Sequence, residues 1–282
     1  MSKYSWALGL SLVLVVSQAT ADETVMLTYR YSPGQVLRYD GNQSLTIEST
    51  VSGTTQKFTS ETISVREWRV LEVDAKGNAR LSMTILSAKV KATGADGKKI
   101  EFDTERDGDN GPLASVIGKP LVEVTLSPNG QVIDVASPPT AAAGQFVAHI
   151  RTLLYAFPAT AVAPGARWHN DLELPLPLGK AEQVRLRQTF RLEKVVESVA
   201  TINLASGLAE ENKDKARAAA IAQFLPSGKI ELDLSRGVLR RVDLTLDQEV
   251  TEFAGPDSTM HVTGTYREVL KDDVAAAKSG RK

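Results

Sequence analysis

The chain has 282 residues, 42% hydrophobic and 24% charged, with 33 Lys+Arg against 34 Asp+Glu, 3 His and no cysteine. A formal charge of −1 excludes the basic footprint needed to coat a polyphosphate backbone, so no nucleic-acid partner is expected. Without Cys there are no disulfides, thiolate zinc sites, iron–sulfur clusters or cysteine nucleophiles, and the fold must rest on its sheet and core alone.

The N-terminus reads as an export leader. Lys3 supplies a positive start, Trp6–Val16 is an apolar run of eleven residues, and Ala19-Thr20-Ala21 offers the small-x-small pattern of a cleavage site. As a helix the run would reach only about 16 Å, roughly half a bilayer core. Residues 1–21 are therefore expected to be a signal peptide and not an anchor, with Asp22 opening a mature chain that does not span a membrane. The expected location is periplasmic or secreted.

Candidate strands then follow in order: Val25–Tyr31, Val36–Thr50, Lys57–Val73, Ala79–Lys91, Lys99–Thr104, Leu121–Leu126 and Gln131–Val135. The stretch Thr140–Phe157 predicts a helix, with Phe146, Ile150, Leu153, Leu154 and Phe157 on one stripe and Pro158 as its stop. Gln183–Glu193 returns to period two, with Val184, Leu186, Phe190 and Leu192 alternating with Arg185, Arg187, Thr189 and Arg191. Asp214–Leu225 predicts a second helix. Arg241–Glu252 and Thr259–Tyr266 are again half-wet strands, with Val242, Leu244, Leu246, Val250, Met260, Val262 and Tyr266 inward. Turn pairs such as Pro33-Gly34, Asn129-Gly130 and Arg236-Gly237 separate the runs.

Strands with one wet face indicate antiparallel pairing, and strands this long must twist and coil. The expected fold is mainly β: a large, strongly curved antiparallel sheet, half-barrel-like, with one or two covering helices. Three segment pairs repeat at offsets of 131, 122 and 130 residues: Ser32–Tyr39 with Ala163–Trp168, Val65–Val73 with Thr189–Val195, and Gly97–Asp103 with Gly228–Asp233. They suggest a duplicated β-unit. The expected organisation is a leader (1–21), an N-terminal β repeat (22–138), a helical connection (139–163), a C-terminal β repeat (164–270) and a flexible tail (271–282), the repeats forming one integrated domain.

Catalytic and metal signatures are sparse. His149, His169 and His261 show no ligand spacing, and no G-x-S-x-G elbow occurs. The loop with Asp103, Glu105, Asp107 and Asp109 mimics the start of a calcium loop, yet its twelfth position is Ala114 and Arg106 brings a competing charge. A solvated turn is the favoured reading, with weak calcium binding as the alternative. Asp103 and Asp233 occupy matching repeat positions, where each is expected to cap a turn; a carboxylate-based hydrolase is the remote alternative. The basic row Arg185, Arg187 and Arg191 and the acidic row Asp243, Asp247 and Glu249 are expected to oppose each other as cross-strand ion pairs.

The apolar concave face remains as the candidate site. Trp68, Trp168, Leu186, Phe190, Leu192, Leu244, Leu246 and Met260 are its candidate ligand-binding residues. Packed core is the plainer reading of these side chains, and a cavity for an apolar ligand is the functional one.

The order of motifs resembles an uncharacterised family of exported bacterial β-rich proteins. The matching features are Tyr29–Tyr39 with its Pro33-Gly34 turn, Pro164–Trp168, Gly228–Asp233 and Gly237–Leu239. The resemblance implies no activity and no catalytic residues. More distantly, a curved sheet with covering helices looks like the periplasmic lipoprotein- and lipid-carrier folds, a likeness of architecture alone. The expected function is an exported, non-enzymatic binding protein without a cofactor, a carrier or sensor of a hydrophobic ligand or lipid. The alternative is a structural or protein-interaction module that meets an envelope protein.

Overall fold

A period of two places one whole face of each strand in a core, and this chain keeps that period through runs far longer than a usual strand. The computed structural model describes residues 23–108, 116–136, 150–175, 183–209 and 214–274. The first half contributes β1 (Val36–Val51), β2 (Thr54–Val73), β3 (Ala79–Thr93), β4 (Lys99–Asp103), β5 (Pro120–Leu126) and β6 (Val132–Ala136). The second contributes β7 (Arg167–Pro175), β8 (Gln183–Val196), β9 (Val199–Leu208), β10 (Ser227–Asp233), β11 (Val238–Thr251) and β12 (Thr259–Val274). Two short helices are described, α1 (Thr104–Asp107) and α2 (Lys215–Ile221), the second continued by a 3-10 turn at Ala222–Phe224. Asp214 caps α2 by accepting from the Arg217 N–H, which places its start where the sequence predicts it.

All twelve strands form one sheet in the order β6-β5-β3-β2-β1-β12-β11-β10-β9-β8-β7, with β4 beside β3 off that path. Ala79–Thr84 of β3 pairs with β5 and Lys89–Thr93 pairs with β4, so one long strand serves two short ones end to end. Every pairing is antiparallel, so along the eleven-strand path the two edge strands, β6 and β7, run in the same direction. Among the described residues β6 and β7 do not pair with each other, and the sheet is open. Its halves join at the long central pair β1 and β12, where the two predicted repeats share one continuous ladder.

The sheet is wound tightly enough for one side chain to meet both halves. Tyr155 packs edge-on against Phe190 of β8 at 6.4 Å and lines the same cavity as Arg66 of β2. Those strands lie six steps apart on the path, about 29 Å in a flat sheet, so only strong curvature brings them together. Extra residues on β2, β3, β5, β6, β8, β11 and β12 shift the register and supply part of that curvature, since each bulge adds local twist.

Two pieces of chain without a ladder fill much of the concave side. The segment Val25–Tyr31, predicted as a strand, is extended but crosses the sheet instead of joining it. It is tied by a Val25–Val162 bridge, by Tyr29 N–H to the Pro128 carbonyl (2.8 Å) and by Arg30 N–H to the Gly237 carbonyl (2.9 Å). The predicted helix Thr140–Phe157 has its residues 140–149 outside the described residues; residues 150–152 are helical and Leu154–Phe157 is extended. The helical stripe fails there because the backbone finds other partners: Phe157 N–H donates to the Asn129 carbonyl at 2.7 Å, and the Tyr155 carbonyl accepts from Tyr29 Oη at 3.1 Å. At the other end, β12 runs to Val274, past the boundary expected at Leu270, because β1 offers it partners as far as Val36.

These two straps complete the core. Leu27, Tyr29, Tyr155 and Phe157 pack with Phe190, Leu192, Ile202, Ile230 and Leu244 on one half of the sheet. Ile150 and Leu154 pack with Val70, Leu81, Met83, Val122 and Val124 on the other, and Tyr31 touches both groups. Fully burying an aromatic or aliphatic side chain of this kind contributes about 1.5–3 kcal/mol. The straps thus hold the two half-sheets around one interior.

Candidate ligand-binding site

Following the inward phase of β2 past Val70 and Trp68 leads to Arg66, and following β12 back from Leu270 leads to Glu268 and Tyr266. Two charges and a hydroxyl thus occupy positions where the pattern calls for apolar residues. Arg66 Nη2 lies 2.8 Å from Glu268 Oε1 and also donates to Tyr266 Oη, while Tyr266 Oη donates to Glu268 Oε2 at 3.0 Å. The guanidinium sits over the Tyr266 ring, 5.4 Å from its centroid. Burial alone would lower the affinity of Arg66 for its proton, but Glu268 and Tyr266 outweigh that and raise it, so the group stays charged. Burial holds the Tyr266 and Tyr155 hydroxyls protonated, both raised above the ordinary phenol range.

Above this cluster lies the second strap. Tyr155 Oη and Arg66 Nε have no hydrogen-bond partner among the described residues, although both side chains are buried. Tyr155 and Arg66 line a cavity of about 50 Å³ whose other walls include Leu37, Trp68, Leu81 and Leu153. A second cavity of about 140 Å³ lies on the inner face of β1, β12 and β11, walled by Leu45, Leu153, Phe224, Leu244, Leu246 and Tyr266 among others. Gly264 lies between Leu45 and Leu246 in its floor, and a Cβ there would stand 2.4 Å from the Ser44 carbonyl oxygen. Leu153 borders both cavities, and Tyr266 connects the second to the ion pair beside the first. The arrangement is a polar cluster set in the middle of an apolar trough.

A third cavity, about 480 Å³ and more polar, opens between the two edges of the sheet. Gln131 and Val132 border it from the β6 side, Asn170–Glu173 from β7, and Arg151 and Arg185 are in its wall.

The sequence-predicted site residues divide between these cavities and the packed core. Trp68 borders the smaller cavity, and Leu244 and Leu246 border the apolar groove. Phe190 and Leu192 are fully buried under the straps, and Trp168 stacks on Phe190 at 5.5 Å while its Nε1–H donates to the Ala156 carbonyl at 3.0 Å. Leu186 packs beneath α2 with Leu174, Val184 and Ile221. Met260 is half-buried beside Leu246, Val262 and Ala222. Sequence reasoning missed Arg66, Glu268 and Tyr155. The signal for the first two was available, as charged residues in phase with the apolar face of their strands.

The turn and aromatic motifs serve the straps. Tyr29 and Tyr31 stack at 5.7 Å, Tyr39 Oη donates to the Leu239 carbonyl at 3.1 Å, and Gly237 accepts from Arg30. At Gly130 the chain has φ +82°, and a Cβ would stand 2.3 Å from the Tyr155 carbonyl oxygen. That turn must be glycine for the second strap to lie against it.

The remaining polar expectations resolve locally. Asp103 caps α1 by accepting from Glu105 N–H, Glu105 pairs with Lys89, and Asp107 pairs with Arg106 and accepts from Asp103 N–H. Those contacts hold the Asp107 carboxyl down at about 2, the Arg106 hydrogen bonds first among the causes. Asp109 lies outside the described residues, and among those described no group of three carboxylates or histidines gathers as a metal site. Asp233 accepts from Ser235 and Arg236 N–H in the turn after β10. The expected opposition of basic and acidic rows is corrected: β9 and β10 stand between β8 and β11, so Arg187 pairs instead with Asp171 of β7 at 2.7 Å and Arg185 with Glu173 at 3.8 Å. Asp243 pairs with Arg241 and Arg267, and Asp247 with His261. His169 lies on β7, and His149 falls outside the described residues.

No family model matches the chain, and no curated relative does. Among solved structures, the chain is similar to one described as "lipid-protein interactions in lipovitellin", with 12% identity, 90% of this chain covered and a TM-score of 0.51. The chain spans 27% of that protein's length, and the likeness is one of fold alone. DynF, from the dynemicin biosynthesis pathway of Micromonospora chersina, aligns at 7% identity over 90% of this chain and 88% of its own, with a TM-score of 0.22. The secretin InvG of the Salmonella SPI-1 injectisome aligns at 8% identity over 89% of this chain and 63% of its own, with a TM-score of 0.19. At those scores neither bears on the fold. Among the described residues no helix is long and apolar enough to cross a membrane.

Proposed function

We propose that this chain is an exported, non-enzymatic protein that binds a small amphiphile or lipid in the trough of its half-pipe, as a carrier or sensor. The observation that carries the reading is the apolar groove over β1, β12 and β11, lined by Leu45, Leu153, Phe224, Leu244 and Leu246 and ending at a buried polar cluster. Apolar walls with a few convergent polar groups are the usual make-up of a small-molecule site. The fold shared with lipovitellin, a protein solved for its lipid interactions, supports the same reading. So does the open seam between β6 and β7, which gives the interior a route to solvent.

The test is native mass spectrometry of protein purified gently from its own cell envelope. Co-purified lipid that leaves on mild activation is the expected result; apo protein that also takes up no added lipid would count against the reading. Peptide mass analysis of the same sample should find an N-terminus at Asp22, as export with removal of residues 1–21 requires.

A second reading, an interaction module of the envelope, draws on the same seam. Among the described residues β6 and β7 each pair on one side alone, and such edges accept an added strand. A bound partner would protect the amides of Val132–Ala136 and Arg167–Pro175 from hydrogen exchange, whereas a lipid in the trough would not.

A further inference from the structure

This inference rests on the reading of the trough as a ligand site and concerns the polar end of that ligand. Arg66 and Glu268 stand in the wall of the 50 Å³ cavity, both buried and already paired at 2.8 Å. Their charges cancel locally. An anionic head would meet the Glu268 carboxylate as well as Arg66, and would lose its hydration for little net attraction.

The wall leaves two donors unused and one acceptor, Glu268 Oε1, which stands 2.8 Å from Arg66 Nη2 as an ion pair but accepts no hydrogen bond among the described residues. Arg66 Nε–H has no partner among the described residues and cannot act as an acceptor. Tyr155 Oη, on a side chain 1% exposed, is likewise unpartnered among them, and Tyr155 lines the same cavity. Two buried donors want an uncharged acceptor, because a buried donor left unmet is destabilising. The apolar groove begins at the other side of Leu153, which borders both spaces.

We propose that the ligand is a neutral amphiphile whose ester or alcohol oxygen accepts from Tyr155 Oη and Arg66 Nε, with its alkyl chain laid past Leu153 between Leu45, Leu244 and Leu246. Ligands of the same chain length but with a carboxylate head are discriminated against by Glu268.

The experiment compares monoolein with oleate, each measured by displacement of phenylnaphthylamine, an uncharged apolar fluorophore, from the full mature chain. Monoolein should displace the probe at a concentration about tenfold lower than oleate. Tyr155→Phe should weaken monoolein about fivefold, the loss expected for one hydrogen bond to a neutral acceptor, while the probe itself binds as before. Glu268→Gln keeps the shape but frees the Arg66 charge, and should move the preference toward oleate. Oleate binding at least as well as monoolein to the unaltered protein overturns the assignment, as does a Tyr155→Phe protein with unchanged monoolein affinity. If the probe binds but the two lipids are not distinguished, the headgroup assignment alone fails. Failure of the probe and both lipids to bind overturns the reading of the trough as well.

Discussion

Arg66 on β2 and Glu268 on β12 are paired at 2.8 Å across an intervening strand, and the guanidinium lies over Gly41 of β1. A Cβ at Gly41 would stand 3.3 Å from Arg66 Nη2 and 3.1 Å from Ser64 Oγ. The missing side chain is what gives the arginine its bed. The pair then spans the seam where the first and second halves of the chain meet.

Breaking that pair should cost more than replacing it. Glu268→Ala leaves a buried guanidinium with Tyr266 as its remaining partner, and should lower unfolding free energy by about 3–5 kcal/mol. The double change Arg66→Met, Glu268→Leu removes both charges and should cost far less. Urea unfolding of the three proteins checks this, and a double mutant as unstable as the single one would contradict it.

The buried tyrosines predict an alkaline limit. Burial raises the hydroxyl pKa of Tyr29, Tyr31, Tyr155 and Tyr266 above the unfolded value of about 10. Neutral phenols are favoured in the folded chain, so this stabilisation is complete below the unfolded value and lost as pH rises through the folded ones. Phenolate absorbance should therefore lag at pH values just above about 10 and then rise together with loss of near-ultraviolet dichroism. Free titration of all these tyrosines with the fold intact would be inconsistent with their burial.

Gly130→Ala should loosen the second strap. The residue would need φ +82°, with its Cβ 2.3 Å from the Tyr155 carbonyl oxygen and 2.5 Å from the Tyr29 ring. The expected cost is about 2 kcal/mol or more, above the usual penalty for a left-handed alanine because backbone must also move. Hydrogen exchange should quicken at Phe157, whose N–H is held by Asn129 in the same turn. An unchanged exchange rate there would show that the turn does not fasten the strap.

Trp168→Phe should cost about 1 kcal/mol through the lost bond to the Ala156 carbonyl, keeping most of the stack on Phe190. Trp168→Ala should cost about 3–5 kcal/mol, since it also opens a hole beside a fully buried ring. Similar costs for the two would mean that the ring contributes little beyond its N–H.

Much of the sheet was legible in the sequence because period two is a local signal. Val184, Leu186, Phe190 and Leu192 alternate with arginines over one short stretch, and β8 follows directly. The curved antiparallel class followed from strand length and half-wet faces. What was not legible depends on contacts distant in sequence. Val25–Tyr31 has the composition of a strand, yet its partners are the turns at Pro128 and Gly237, so it crosses the sheet. Leu153 and Phe157 fit a helical stripe, but the backbone of Phe157 is claimed by Asn129. The ionic rows of β8 and β11 looked complementary until the strand order put two strands between them. Of the proposed site, Trp68, Leu244 and Leu246 were legible as inward residues because they are apolar and in phase, and they stand in the cavity walls. Arg66 and Glu268 are in phase as well, but they pair across a strand some 200 residues away in sequence, a contact that no local pattern marks.

The most direct test of a ligand-binding trough is photo-crosslinking with an uncharged lipid that carries a diazirine in its alkyl chain, read out by peptide mass spectrometry. The account predicts adducts on inward residues of the groove, Leu45, Leu153, Leu244 and Leu246, that are competed away by unlabelled lipid. Adducts confined to outward apolar residues such as Ile63 and Ile133, 56% exposed each, and insensitive to competition would contradict it.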